Sequence, residues 1–311
     1  MPKTVAPKKR RKSAQIHFFS PPRERLIVSG TTTNEELALY GIPKRPGPKA
    51  SSGARDLWKQ AYERELRFII PELRTVPNKR HRLGRSRKKL ENGDVQSNWS
   101  GSILPANGDL FKDITGTWAV PGVDLPNTKC NGQTFYCSVW VGIGGTTATN
   151  IIQAGIEHEI ICTGGQTTRT LYVWAQWYPQ DEQRVANFPM AIDDNIQVKV
   201  ELNSLTQFTA SFTNLSQGNH SAFQVETEAA PGGYSGTSAE WIVERPTLGS
   251  SFGSLADYGS VVFSGLTATT ATGVSKDGST GNLITMLDNS NNNPLSTPNV
   301  AGGQLTVSYT A

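Results

Sequence analysis

An all-β sandwich or barrel, preceded by a basic and partly helical segment, is the fold that this sequence of 311 residues predicts. From about Gln96 onward, short runs rich in Val, Ile, Thr, Trp and Tyr alternate with polar residues. Clusters of Gly, Asn and Ser separate these runs, and no helical pattern lies between them. Such a series of short strands is typical of antiparallel β architectures. Residues 96–311 therefore form one β domain.

The net charge of the chain also changes sign near residue 96, where the β domain begins. Residues 1–95 contain 23 Lys and Arg against 9 Asp and Glu, a net charge of +14. Residues 96–311 contain 7 basic and 17 acidic residues, a net charge of −10. The overall charge of +4 conceals this division. A basic segment is joined to an acidic domain.

Two helices are predicted within the basic segment. Thr33 and Glu36 have the spacing of a capping box and predict a helix near 34–40, which Gly41 would end. Apolar residues at helical spacing predict a second helix over 54–70. These residues are Leu57, Trp58, Ala61, Tyr62, Leu66 and Ile69. The rest of 1–95, including the basic run Lys79–Lys89, is expected to be partly disordered.

Six apolar runs mark the clearest strands of the β domain. They are Ser138–Ile143, Leu171–Trp177, Ile196–Leu202, Phe208–Phe212, Glu240–Val243 and Leu305–Tyr309. Because side chains alternate along a strand, Glu240, Ile242 and Glu244 share one face. Ala239, Trp241 and Val243 face the other way and have the character of core residues. Glu240 is therefore expected on a polar or solvent-lined face.

Membrane, metal and cofactor functions find little support in the sequence. No run approaches the roughly 20 apolar residues that a membrane helix needs, and no secretory leader pattern is visible. Glu157, His158, Glu159 and Cys162 are close in sequence, but neighbours on a strand point to opposite faces. We therefore predict no metal site and no cofactor.

The three cysteines allow one local disulfide. Cys130 and Cys137 flank an Asn131-Gly132 turn, and this spacing favours a bond between them. Cys162 would then remain a free thiol. In a reducing compartment all three would stay thiols.

Four motifs stand in a fixed order along the β domain. They are Asn98–Gly101 (NWSG), Trp140–Gly145 (WVGIGG) with Ile151–Gly155 (IIQAG), Trp174–Pro179 (WAQWYP) and Ala239–Glu244 (AEWIVE). In order and content, the set resembles the glutamic peptidases, also called eqolisins or the G1 family. The resemblance implies a sandwich of two antiparallel sheets similar to the concanavalin-like lectins. It also implies a catalytic pair of one Gln and one Glu, which match Gln153 and Glu240.

This resemblance implies an acid-acting endopeptidase. Ionised Glu240 would take a proton from the attacking water and later pass it to the leaving amine. Gln153 would donate a hydrogen bond to the oxyanion and orient the water. A face carrying Trp99, Trp140, Trp174 and Gln176 would suit an extended polymer, so these are the candidate cleft residues.

The chain departs from the family pattern at two positions. Gly144 and Gln176 stand where family members commonly have Asp and Glu. Both changes remove a carboxylate expected near the cleft. We therefore expect the pKa of Glu240 to be raised less by like charges than in other members.

By the same resemblance, residues 1–95 are an inhibitory propeptide, removed by cleavage between Lys89 and Asn98. The expected partners are protein or peptide substrates, with no obligatory nucleic acid or membrane, and the expected enzyme is a secreted monomer. Two other functions remain open at this stage. A lectin-like sandwich binds carbohydrate or peptide on an aromatic face without catalysis. A cluster such as Lys8–Lys12 resembles a nucleic-acid or nuclear-localisation patch.

Overall fold

Two facing β-sheets, named sheet A and sheet B, enclose the main core of the molecule. The computed structural model describes residues 14–48, 50–77, 94–126, 130–146, 149–227, 234–288 and 293–311. Sheet A contains, in spatial order, β20 (Ser275–Asp277), β19 (Ser260–Thr270), β7 (Phe111–Ala119), β12 (Asn195–Ser204), β13 (Gln207–Asn214), β14 (Asn219–Glu226) and β1 (Gln15–Phe18). At β14 it is extended by β3 (Glu65–Phe68), which pairs in turn with β2 (Arg25–Ile27).

Sheet B carries the sequence motifs. In spatial order it contains β4 (Leu73–Val76), β11 (Glu182–Val185), β10 (Gln166–Tyr178), β9 (Ile151–Thr163), β8 (Thr134–Gly144), β15 (Ser238–Glu244), β6 (Trp99–Pro105) and β21 (Asn282–Leu287). β22 (Pro294–Ala301) pairs with the end of β21 on the same side as β6, and β23 (Gln304–Tyr309) pairs with β22. Short strands β5 (Asp94–Gln96) and β18 (Ser254–Leu255) run parallel to β21 and β8. A separate hairpin joins β16 (Thr247–Leu248) to β17 (Ser251–Phe252).

One strand belongs to both sheets. The first part of β19 pairs with β23 in sheet B, and the second part pairs with β7 in sheet A. Between the two parts the register shifts, and Gly265 has a φ of +62° that favours glycine. The bend carries the chain from one layer of the sandwich to the other.

Alternating side chains build the core between the sheets. In β12, Ile196, Val198 and Val200 point inward and have no exposed surface, while Lys199 points outward. Large rings such as Trp241 fill the interior from sheet B. The predicted β-sandwich is confirmed, and most of its strand pairs are antiparallel. The exceptions among the described residues are the parallel pairs formed by β3, β5 and β18.

The N-terminal segment contains helix α1 (Asn34–Leu39) and helix α2 (Ser52–Tyr62). Thr33 caps α1 by accepting a hydrogen bond from the Glu36 backbone N–H at 3.1 Å. The helix predicted over 54–70 is wrong in its second half, where β3 replaces it. Leu66 fits helical spacing from Tyr62, but Leu66 and Phe68 also fit the two-residue period of a strand, and both are buried. Neither helix has the length or apolar composition that a membrane crossing requires.

The described part of the N-terminal segment pairs with both sheets. Strands β1 and β3 lie along β14 of sheet A, and β4 lies along β11 of sheet B. The predicted boundary between residues 95 and 96 falls inside β5, which pairs with β21. The basic run Lys79–Lys89 and the N-terminal residues 1–13 lie outside the described residues.

The predicted Cys130–Cys137 disulfide is wrong, because Cys130 bonds to Cys162 instead. Cys137 is a free, fully buried thiol. Strands β8 and β9 are antiparallel with Thr134 opposite Ile161, so the chain before β8 meets the end of β9. Cys137 lies inside β8 and points into the core, out of reach of Cys130.

Chemical labelling distinguishes the two pairings. When the chain is denatured without reductant and alkylated, we expect peptide mapping to find label on Cys137 and none on Cys162. Replacing both Cys130 and Cys162 by Ser opens a loop with a sequence separation of 32 residues. We expect this to lower the free energy of unfolding by about 3–4 kcal/mol, measured by urea titration. Label on Cys162 in the unreduced chain would contradict this pairing.

Candidate active site

Strand register brings the two predicted catalytic residues to one face of sheet B. Glu240 on β15 and Gln153 on β9 each lie opposite Gly142 on the intervening strand β8. Residues opposite each other in an antiparallel sheet point to the same side. The two backbone positions are two strand spacings apart, about 10 Å. Their side chains therefore flank the position of Gly142.

Gly142 leaves the space between these side chains open. A Cβ atom at this position would lie 2.9 Å from Cζ3 of Trp140 and 3.1 Å from the Cβ of Gln153. Any larger residue would displace the Trp140 ring or the Gln153 side chain. We name the line of residues formed by Glu240, Gly142, Gln153 and Gln176 the active row. Gln176 joins it on β10, opposite Gln153.

A chain of amides orients Gln153. Its Nε2 donates a hydrogen bond to Oε1 of Gln176 at 2.9 Å, and Nε2 of Gln176 donates to the backbone carbonyl of Gln180 at 2.8 Å. An amide nitrogen carries two hydrogens, so one remains for another acceptor. Within the described part of the chain, Oε1 of Gln153 is buried without a hydrogen-bond partner. The arrangement leaves one donor and one acceptor of Gln153 available for a reacting group.

Glu240 is completely buried in the intact chain. Burial raises the pKa of its carboxyl well above the ordinary value, and the nearby Ser238 hydroxyl acts in the opposite direction. No hydrogen bond of ordinary geometry reaches either carboxyl oxygen from the described residues. These surroundings favour the protonated form of the carboxyl group.

A second pair of buried carboxyl groups lies on the same face, which the sequence analysis did not identify as a pair. Glu244 and Glu157 flank Ser138, four residues along their strands from the active row, or about 13 Å. Burial and the charge of Glu157 raise the pKa of Glu244 well above its ordinary value. Nε1 of Trp140 donates to Oε2 of Glu244 at 2.9 Å. The Trp140 side chain thus connects the second pair to the active row.

The predicted aromatic cleft residues are not open to solvent. Trp99, Trp140, Trp174 and Gln176 have no exposed surface in the intact chain. Trp99 packs edge-on against Trp140, with ring centroids 4.9 Å apart, and the cluster also includes Ile242. The expectation of an accessible aromatic face is therefore wrong for this form of the protein. A lectin-like binding function would need such rings exposed for stacking.

The residues weighed as metal ligands do not form a site. Cys162 is in a disulfide, and His158 points into the core, where burial lowers its pKa to about 4. Within the described ranges, no three His, Cys, Asp or Glu side chains are grouped as metal ligands would be.

Comparison with known proteins identifies relatives for most of the β domain. The sequence profile of the peptidase A4 family matches residues 97–309. Aspergillopepsin-2 of Aspergillus niger is 30% identical over 237 residues, which cover 70% of this chain and 79% of that protein. Scytalidopepsin B of Scytalidium lignicola is 30% identical over 151 residues, which cover 48% of this chain and 52% of that protein.

The fold is also similar to that of a solved peptidase. Scytalido-glutamic peptidase, crystallised with a peptide-based transition state analogue, is 27% identical to this chain with a TM-score of 0.56. The match covers 69% of this chain and 98% of that structure. Family, relatives and fold agree with the motifs and with the single face that they share. The chain belongs to the peptidase A4 family, the glutamic endopeptidases of the G1 or eqolisin type.

Proposed function

We propose that Glu240 and Gln153 are the catalytic pair of this glutamic endopeptidase. The observation that carries the proposal is their position on either side of Gly142, on one face of sheet B. A gap of this kind accepts a peptide carbonyl and one water molecule between a carboxylate and an amide. The amide chain through Gln176 holds Gln153 in a single orientation.

Hydrolysis then proceeds by direct attack of water. Ionised Glu240 removes a proton from the water, whose oxygen forms a bond to the peptide carbonyl carbon. The carbonyl π electrons move to oxygen, and the free Nε2 hydrogen of Gln153 stabilises this oxyanion. When the intermediate collapses, the C–N bond breaks and protonated Glu240 gives its proton to the amine. One peptide and one water become a carboxylic acid and an amine.

We propose further that the N-terminal segment is an inhibitory propeptide. Its described strands pair with sheet A and sheet B, and Glu240 has no exposed surface while the segment is present. Strand β4 joins sheet B beyond β10, whereas β5 joins it beyond β6, so described strands from this part of the chain border sheet B on both sides of the active row. The opposite net charges of the two parts favour their association and weaken it when acid protonates the carboxylates.

Secretion fits the cysteine chemistry. The Cys130–Cys162 disulfide would persist in an oxidising environment and is uncommon in reducing compartments. We propose that the enzyme acts outside the cell on protein or peptide substrates.

Replacing either member of the pair tests the catalytic proposal. Each variant is first cut by an added Lys- and Arg-specific protease, which removes the N-terminal segment and is then inhibited. An inactive variant is then one that lacks catalysis, and not one that has failed to remove its own N-terminal segment. We expect Glu240→Gln to lower kcat about 10²- to 10⁴-fold on denatured protein at pH 3–5. We expect Gln153→Ala to lower it about 10²- to 10³-fold. Pepstatin, which is directed at aspartic dyads, should not inhibit the unsubstituted enzyme.

Matched substitutions elsewhere supply the controls. Glu201→Gln on the outer face of sheet A and Gln166→Ala at the exposed end of β10 should leave kcat unchanged. Near-normal activity in Glu240→Gln with a retained circular dichroism spectrum would refute the assigned role.

The amide at position 176 should set the pH profile. In Gln176→Glu, an oxygen can still accept from Nε2 of Gln153, but a carboxylate is added to the buried active row. A like charge raises the pKa of Glu240, and a general base works only above its pKa, so the acid limb of kcat should move to higher pH. The same change at exposed Gln166 should not move it. An acid limb that stays in place or falls would contradict this account.

The site of maturation should lie before β5. Val95, Gln96 and Asn98 are buried, and β5 is paired with β21, so a protease has poor access to the later part of the predicted interval. N-terminal sequencing after acid incubation should therefore find a new terminus between Lys89 and Asp94. Under the same conditions Glu240→Gln should remain intact. Processing of that inactive chain at the same rate would show that the enzyme does not mature itself.

A further inference from the structure

The outer face of sheet A is polar, yet the N-terminal segment buries much of it. Ser211, Thr213 and His220 point away from the sandwich core and are at most 3% exposed. Their cover consists of segment residues such as Tyr62 and Phe68, which belong to a small separate core. Polar residues on a sheet face are suited to water. This face therefore has the composition of a surface that is solvated when the segment leaves.

His220 lies at the centre of this interface. Its ring meets those of Tyr62 and Phe68 edge-on, with centroids 5.9 and 5.6 Å away. Both neighbours belong to the N-terminal segment. Nδ1 lies 2.9 Å from the Thr213 hydroxyl, whereas Nε2 is buried without a hydrogen-bond partner among the described residues. The polar neighbours of the ring are the Thr213 hydroxyl and the Gly41 carbonyl, and two aromatic rings cover it.

We propose that His220 is an acid-sensitive latch, whose protonation drives the N-terminal segment off the outer face of sheet A. A charged imidazolium needs well-placed hydrogen-bond acceptors or water. In the docked segment the Gly41 carbonyl favours the charged ring, but burial against Tyr62 and Phe68 outweighs it. Release of Tyr62 and Phe68 would give it water. The latch rests on the proposed propeptide role and adds the means of its pH control.

Few charged groups face the ring. From α2, Tyr62 contacts it, and burial raises the pKa of this phenol to about 12, so it stays neutral. From β3 comes Phe68, and from β13 comes Thr213. Lys199 lies nearer to Tyr62; burial alone would lower its pKa, but the carboxylates of Asp113 and Glu201 raise it. His220 therefore has no adjacent carboxylate to compensate a positive charge.

The direction of the pH effect follows from burial. In the docked form burial lowers the pKa of His220 from 6.5 to about 4, with the Gly41 carbonyl opposing the change. The docked form thus binds fewer protons than the open form, and docking weakens as the pH falls below about 6.5. The effect levels off below about pH 4, where the docked form is also protonated. The difference between the pKa values of His220 in the open and docked forms sets a limiting rise of about 300-fold in the opening equilibrium.

The interface is also incompletely packed. A cavity of about 520 Å³ lies between α2 and sheet A, lined by residues that include Leu57, Trp58 and Lys199. The other described histidine of the interface, His17, pairs with Glu226 at 2.6 Å, and both side chains are more than a third exposed. An exposed pair of this kind contributes little, so it opposes release only weakly.

Hydrogen exchange in the full chain tests the latch without relying on peptidase activity. The Glu240→Gln background prevents self-cleavage, and exchange rates at pH 7 to 4 are corrected for the intrinsic pH dependence. Peptides from β1, β3 and α2 report opening, while β8 and β9 report global unfolding. We expect opening to rise about 100-fold between pH 7 and pH 4 with His220 present. We expect His220→Phe and His220→Asn to lack this rise.

Two matched variants complete the design. His158→Asn removes a buried histidine inside the sandwich, and His17→Gln removes the exposed interface histidine; both should keep the rise. Retention of the full rise in His220→Phe or His220→Asn would overturn the latch. Should opening follow His220 while the unsubstituted chain cleaves no peptide, the proposed function fails and the latch stands.

Discussion

The register of three neighbouring strands is the constraint on which the active site depends. Gly142 on β8 must lie opposite both Glu240 and Gln153, because a shift by one residue would send one of them to the opposite face. The backbone hydrogen bonds and the inward-facing residues of these strands hold that register. The proposed catalytic arrangement therefore depends on the whole core and not only on a loop that carries reactive groups.

Burial governs the electrostatics of the same face. Glu240 and Glu244 are both shielded from water, and the pKa of each is raised by burial first and by neighbours second. A carboxyl kept protonated cannot accept a proton from water. Burial in the intact chain therefore opposes ionisation of Glu240. Access of water to Glu240 would lower its pKa and provide the ionised base.

Local patterns predicted local structure well and long-range structure poorly. The shared face of Glu240, Ile242 and Glu244 followed from a two-residue period that needs only the strand itself. The Cys130–Cys162 bond depends on how β8 pairs with β9, and no spacing along the chain shows that pairing. Leu66 fitted two periods, so the end of α2 was placed too late. The burial of Trp99 depends on what covers the face, which periodicity does not record.

Pairing of the N-terminal segment with β14 and β11 would have a consequence for the enzyme if that segment were removed, as proposed. Each strand would become a free border of its sheet, with unpaired N–H and C=O groups able to recruit another chain. Charged side chains on such borders discourage aggregation. Glu226 on β14, with Glu182 and Arg184 on β11, supplies them. The β domain thus already carries charged residues on the borders that removal of the segment would free.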